Sequence, residues 1–102
     1  MNECIIDNIG TKRWYKDGLF HREDGPAVEY VNGDKAWLLN GEIHREDGPA
    51  FVTADGYEAW YLHDKRHRVD GPAIEWADGD KWWYLNGTRY TESDFLTKIK
   101  NS

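Results

Sequence analysis

Cysteine occurs once, at Cys4, so no internal disulfide framework can hold this chain together. Aliphatic bulk is scarce: hydrophobic residues make up 39% of the 102, too few for a thick core in so small a domain. No apolar run is long enough to cross a bilayer. The opening residues Met1-Asn2-Glu3-Cys4-Ile5-Ile6-Asp7 have neither the basic start nor the apolar stretch of a secretory signal. Positive charge is outweighed, 13 Lys and Arg against 19 Asp and Glu, for a net charge of −6. That balance excludes a general binder of nucleic acid or of anionic membranes, both of which need a positive field. The lone cysteine suits a reducing compartment, and the expectation is a soluble cytoplasmic protein.

Aromatic residues are abundant instead, 15% of the chain with six Trp and six Tyr. Flat, large side chains can cover a sheet where aliphatics cannot fill a ball, which predicts a thin, elongated layer. They are also periodic. The stretch His44-Arg45-Glu46-Asp47-Gly48-Pro49-Ala50 appears almost unchanged as His21–Ala27 and again as His67–Ala73, one copy every 23 residues. Trp14, Trp37, Trp60 and Trp83 keep the same period, the mark of a tandem repeat architecture.

Nine of the ten glycines follow Asp or Asn, the strongest short-range signal for a β-hairpin turn, and the segments between are of strand length. The expected hairpins pair 27–31 with 34–39, 50–54 with 57–62, and 73–77 with 80–85. Two-residue turns at Asn32-Gly33, Asp55-Gly56 and Asp78-Gly79 would set Val28 opposite Trp37 and Tyr30 opposite Lys35, with Phe51–Trp60 and Ile74–Trp83 repeating the first pair. Joined by Leu39, Leu62 and Leu85, these residues would form the apolar face, with Trp37 and Trp60 mostly buried and Trp76 and Trp82 off the ladder. Strand alternation then sends Tyr15, Leu38, Tyr61 and Tyr84 to the opposite, exposed face.

Between hairpins runs a connector, 40–49 in the second unit. Gly48-Pro49 must sit at a strand start or outside the sheet, since proline has no N–H for the ladder. The connector is expected to fold under the sheet and cover the Trp face, with special backbone angles at Gly25, Gly48 and Gly71. The ends depart from the pattern, as capping units do. Residues 1–10 read as a degenerate N-terminal cap, 11–89 as repeats and 90–102 as a C-terminal helical cap. Thr91 or Ser93 would cap that helix, with Phe95, Leu96 and Ile99 on one side. The fold class is all-β: an elongated antiparallel meander of about four repeated β-hairpins in a single domain, closed by a short C-terminal helix.

Read from Gly48, the unit Gly-Pro-Ala-Phe-Val-Thr-Ala-Asp-Gly-Tyr-Glu-Ala-Trp-Tyr-Leu resembles the MORN repeat, a β-hairpin unit of the same period with an Asp-Gly turn and a Trp in its second strand. The likeness runs from about Gly10 to Gly87. Lys35, Glu58 and Lys81 stand where the family has glycine, and the His-Arg-x-Asp-Gly-Pro-Ala connector resembles repeat tracts of tailed bacteriophages and large DNA viruses. The resemblance implies a protein–protein interaction module, phage- or virus-encoded, acting on a host or viral protein in the cytoplasm, inhibition of host defence included. It does not carry over the family's lipid-binding role.

Several constellations compete for a functional role. The expected partner-binding surface is the stripe Tyr15, Leu38, Tyr61 and Tyr84 together with Glu58, since Tyr is enriched at interfaces and carboxylates steer basic partners. The alternative is a small-ligand or nucleotide site at Arg45, Arg66, His67 and Arg68, using stacking and charge-assisted bonds. A third reading is a structural or self-assembling module, a homodimer included. The repeated His and Asp invite a metal reading, but a 23-residue period lays equivalent side chains out as a ladder and does not converge them on one ion. No nucleophile has a supporting base, so neither a catalytic residue nor a cofactor is expected.

Overall fold

The computed structural model describes residues 2–101. In chain order the strands are β1 (Asn2–Ile6), β2 (Lys12–Lys16) and β3 (Leu19–Phe20), then β4 (Val28–Glu29), β5 (Lys35–Ala36), β6 (Leu38–Leu39) and β7 (Glu42–Ile43). The third unit repeats this as β8 (Phe51–Val52), β9 (Glu58–Ala59), β10 (Tyr61–Leu62) and β11 (Lys65–Arg66), and the last holds β12 (Ile74–Glu75), β13 (Lys81–Leu85) and β14 (Thr88–Tyr90) before helix α1 (Glu92–Lys100). One antiparallel sheet runs β1-β2-β4-β5-β8-β9-β12-β13-β14, flanked by the two-stranded hairpins β6-β7 and β10-β11. The molecule measures 47 × 29 × 18 Å, the thin elongated layer expected of so few aliphatics.

The register differs from the expectation by one residue, and that shift reverses the faces. Tyr30 N–H donates to Asp34 O at 2.9 Å and Gly33 N–H to Tyr30 O at 3.0 Å, so the loop is Val31-Asn32-Gly33, three residues long. Gly33 takes φ +99°, the left-handed residue that follows a type I turn in a three-residue hairpin. Val28 therefore faces Ala36, and Glu29 faces Lys35. A one-residue slip sends every side chain to the other face. The buried core is accordingly Ala27, Val28, Ala36 and Leu38 in one cluster and Ala59, Ala73, Ile74 and Tyr84 in another, with Phe51 packed against both. The Trp and Leu39 series lie half-buried on the opposite side.

The stripe expected to be exposed is thus part of the interior. Leu38 is 9% exposed and Tyr84 7%, while Tyr15 and Tyr61 are half-buried. Only Glu58 of that group stands fully at the surface.

The dipeptide Asn40-Gly41 makes a different turn from Asn32-Gly33. Both Asn40 and Gly41 have positive φ, 51° and 82°, and close a two-residue hairpin that pairs Leu39 with Glu42. Residues 40–49 are therefore not all connector, because the Asn40-Gly41 turn is followed by β7. His63-Asp64 keeps this turn without glycine, both residues adopting positive φ at 47° and 68°.

The connectors do cover the Trp face. Gly25, Gly48 and Gly71 do not have positive φ; the space they leave is what matters. A Cβ on Gly48 would stand 2.7 Å from the Arg45 guanidinium carbon. Pro49 ends the connector just before β8, outside the ladder as expected. At the C-terminus Thr91 caps α1, its hydroxyl accepting from Asp94 N–H at 3.1 Å. Phe95 is buried against the last hairpin, while Leu96 faces solvent at 57% exposure and does not join it.

Candidate functional site

Each connector is a self-contained device built on one arginine. Arg45 donates from Nε to Asp47 at 3.0 Å and from Nη1 to the Pro49 carbonyl at 3.1 Å. Its guanidinium lies 4.1 Å from the centre of the Trp37 ring, eight residues earlier. Arg22 does the same with Asp24, Pro26 and Trp14, and Arg68 with Asp70, Pro72 and Trp60. Stacking of this kind is worth about 0.5–1 kcal/mol at exposed sites and more where water is excluded. Arg22 gains a second carboxylate, Glu29, at 2.9 Å, and Arg68 meets Glu75 at 3.7 Å. Arg45 has Val52 in that place. The Arg68 hydrogen bond, ahead of opposing desolvation, holds the Asp70 carboxyl below its ordinary value.

The histidines join one unit to the next. Nδ1 of His21 accepts from Asn40 N–H at 2.9 Å, Nδ1 of His44 from His63 N–H at 3.0 Å, and Nδ1 of His67 from Asn86 N–H at 2.9 Å. An accepting Nδ1 fixes the neutral tautomer with its proton on Nε2. In His21 and His44 that nitrogen faces Glu23 at 3.3 Å and Glu46 at 3.4 Å. The ring thus completes the turn of the following repeat.

Successive connectors leave open concavities between them. The largest, about 690 Å³, has Trp37 and Leu39 on its floor and Glu23, Asp24, Glu46 and Asp47 on its rim. A second, about 520 Å³, lies over Trp14, and a third, about 170 Å³, over Trp60 and Leu62. The rim carboxylates point outward: the side chains of Asp24 and Asp47 are 87% and 88% exposed. The surface is therefore a row of aromatic-floored hollows repeating with the sequence, in which carboxylates outnumber the lining arginines over Trp14 and Trp37 and equal them over Trp60. Strand alternation alone could not reveal it, because the rim comes from loop residues whose arginines fold back onto their own strand.

Of the residues expected as the alternative ligand site, Arg45, His67 and Arg68 line the hollow over Trp60 together, with Nε and Nη1 of both arginines already engaged within their own connectors. Arg66 stands directly opposite Tyr61 in its hairpin and so shares the other face, against Tyr61 and Tyr84. Among the described residues no three His, Cys, Asp or Glu side chains are grouped to hold a metal ion, and no helix is long and apolar enough to cross a membrane. Compared with known protein families, with curated proteins and with solved structures, the chain matches none.

Proposed function

We propose that this chain is a protein-interaction module and that its contact surface is the connector face, not the Tyr stripe. One observation carries this reading: a Trp-floored hollow recurs along the molecule, and the one over Trp37 and Leu39 has Glu23, Asp24, Glu46 and Asp47 around it. Such a hollow suits an apolar anchor flanked by Lys or Arg, since the buried anchor supplies affinity and the rim charges supply steering. The MORN-like assignment belongs to the same reading, together with a phage or viral source and a host target in the cytoplasm. It rests on the 23-residue period and on the Gly-Pro-Ala and Trp positions within it.

A peptide alternating lysine with leucine, titrated against the intact protein, tests this. Binding is expected to perturb Trp fluorescence and to weaken between low and physiological salt. It should be lost in Glu23→Lys with Glu46→Lys and retained in Glu58→Gln. Equal binding by the charge-reversed variant would place the contact elsewhere.

A further inference from the structure

The face opposite the connectors carries a second cluster, concentrated in the third and fourth units. Phe20, Ile43, Arg66 and Arg89 occupy one repeat slot, each opposite the residue that follows the Trp. The first two units fill the slot with apolar side chains, as an inward-facing position calls for. The last two fill it with arginine.

These arginines behave unlike the others. Arg13, Arg22, Arg45 and Arg68 each pair with a carboxylate. Among the described residues Arg66 and Arg89 form no ion pair and lie against aromatic rings, Arg66 also sharing a side-chain hydrogen bond with Tyr61. Arg66 sits 5.9 Å from the Tyr61 ring centre and 5.4 Å from that of Tyr84, and Arg89 lies 3.6 Å over Trp82. Nε of Arg66 is shut off from solvent and meets no acceptor, an unfavourable state for a buried donor. The rings belong to one packed group: Tyr57 meets Trp76 edge-on at 5.6 Å, and Trp76 meets Trp82 at 4.7 Å. Burial pushes the Tyr57 phenol above its ordinary value, so this group supplies no anion of its own to the guanidinium at neutral pH. Beside Arg66, a hollow of about 330 Å³ opens between Tyr61, Asp64, Lys65 and Gly87, and the Asp64 carboxylate there already accepts from Ile43 N–H.

We infer that Arg66 and its aromatic neighbours form a binding site for a small aromatic oxyanion, a carboxylate or phosphate carried on a planar ring. The oxyanion is the charged partner that Arg66 lacks, and a guanidinium fork suits either group. The ring is the part that the Tyr61 phenol can stack, and Lys65 adds positive charge at the margin. The net charge of −6 argues that such a local exception is specific.

The experiment uses phenyl phosphate, benzoate and inorganic phosphate, titrated against the intact protein while the Arg Nε–H signals are followed by NMR. Phenyl phosphate and benzoate should shift the Arg66 signal, and phenyl phosphate should bind about tenfold more tightly than inorganic phosphate. Arg66→Ile, which installs the residue that the slot already accepts at position 43, should remain folded by circular dichroism and lose binding. Equal affinity for inorganic and phenyl phosphate would overturn the aromatic part of the site. No shift with any of the three, or undiminished binding by folded Arg66→Ile, would overturn the site itself. None of these outcomes touches the connector face, which the lysine–leucine peptide probes separately.

Discussion

The inner units and the two terminal units are built from the same repeat yet run differently at the same tryptophan. In the inner units the second strand is interrupted there, β5 stopping at Ala36 and β6 resuming at Leu38, and likewise on either side of Trp60. In the terminal units β2 and β13 pass unbroken through Trp14 and Trp83. Two sequence differences account for this. An inner Trp stands between two strands that begin after Gly-Pro-Ala, where proline cannot continue the ladder, whereas each end Trp has such a strand on one side only. β1 has no proline, so pairing extends through Cys4–Trp14 and Glu3–Tyr15. The slot before the Trp is alanine in the inner units, buried at Ala36 and Ala59, but Arg13 and Trp82 at the ends. A small residue lets the two halves of the inner strand close on one core, whereas a large one fills that space itself. Proline and alanine, more than the tryptophans, separate interior from end.

The sharpest test of that contrast is Trp60→Ala against Trp83→Ala. Trp60 carries the Arg68 guanidinium, while Trp83 has Thr91 eight residues on. Trp60→Ala is expected to cost about 3–5 kcal/mol in urea denaturation and Trp83→Ala clearly less; equal costs would dissolve the distinction. Gly48→Val comes next, at about 1–3 kcal/mol, because the new side chain must displace Arg45 from Trp37. The displaced arginine should also show as a change in Trp fluorescence.

A change of opposite sign is expected at the turn between β10 and β11. Replacing His63-Asp64 by Asn-Gly removes strain from two positive-φ residues and should stabilise by about 1 kcal/mol, less whatever the Asp64 bond to Ile43 N–H at 2.7 Å contributes. A drop in the thermal midpoint would show that the bond outweighs the strain. Glu58→Lys should stabilise by roughly 0.2–1 kcal/mol, because Glu58 stands directly across from Glu75 while the first hairpins alternate Lys12, Glu29 and Lys35. The gain should shrink as salt is added.

The smallest effect is in acid. The hydrogen bond from Arg13, ahead of opposing desolvation and of backbone bonds from Ile9 and Thr11, holds the Asp7 carboxyl below its ordinary 3.8 in the opening unit. A carboxylate depressed in the folded state stabilises above its unfolded value, and that contribution fades as pH falls from about 3.8 through the folded one. Arg13→Ala should move the Asp7 titration upward by NMR; an unmoved titration would assign the effect to the backbone donors.

How far the sequence could be read depended on which residues carried the signal. Period, strand content and the helical cap were legible because Gly, Pro, Trp and Thr91 act locally on their own backbone. The register was not, because Asn32-Gly33 and Asn40-Gly41 are the same dipeptide closing loops of different length. What separates them is the residue before: Val31 sits inside the longer loop, whereas Leu39 still pairs. One residue of difference moved Leu38 and Tyr84 from the surface to the core, and with them the expected contact stripe. The connector hollows were illegible for another reason, since their shape depends on arginines folding back across eight residues.

The histidine link between neighbouring units bears on how such a chain changes length. Because Nδ1 of His21, His44 and His67 each serves the backbone of the following unit in the same way, the seams are interchangeable. A whole unit can be duplicated or excised between equivalent histidines and leave every remaining seam intact, whereas a partial unit would strand one ring and one turn. The natural increment of growth is therefore 23 residues. Each increment adds one more hollow in fixed order, so affinity for a partner of matching period rises by valency, not by refinement of any single contact.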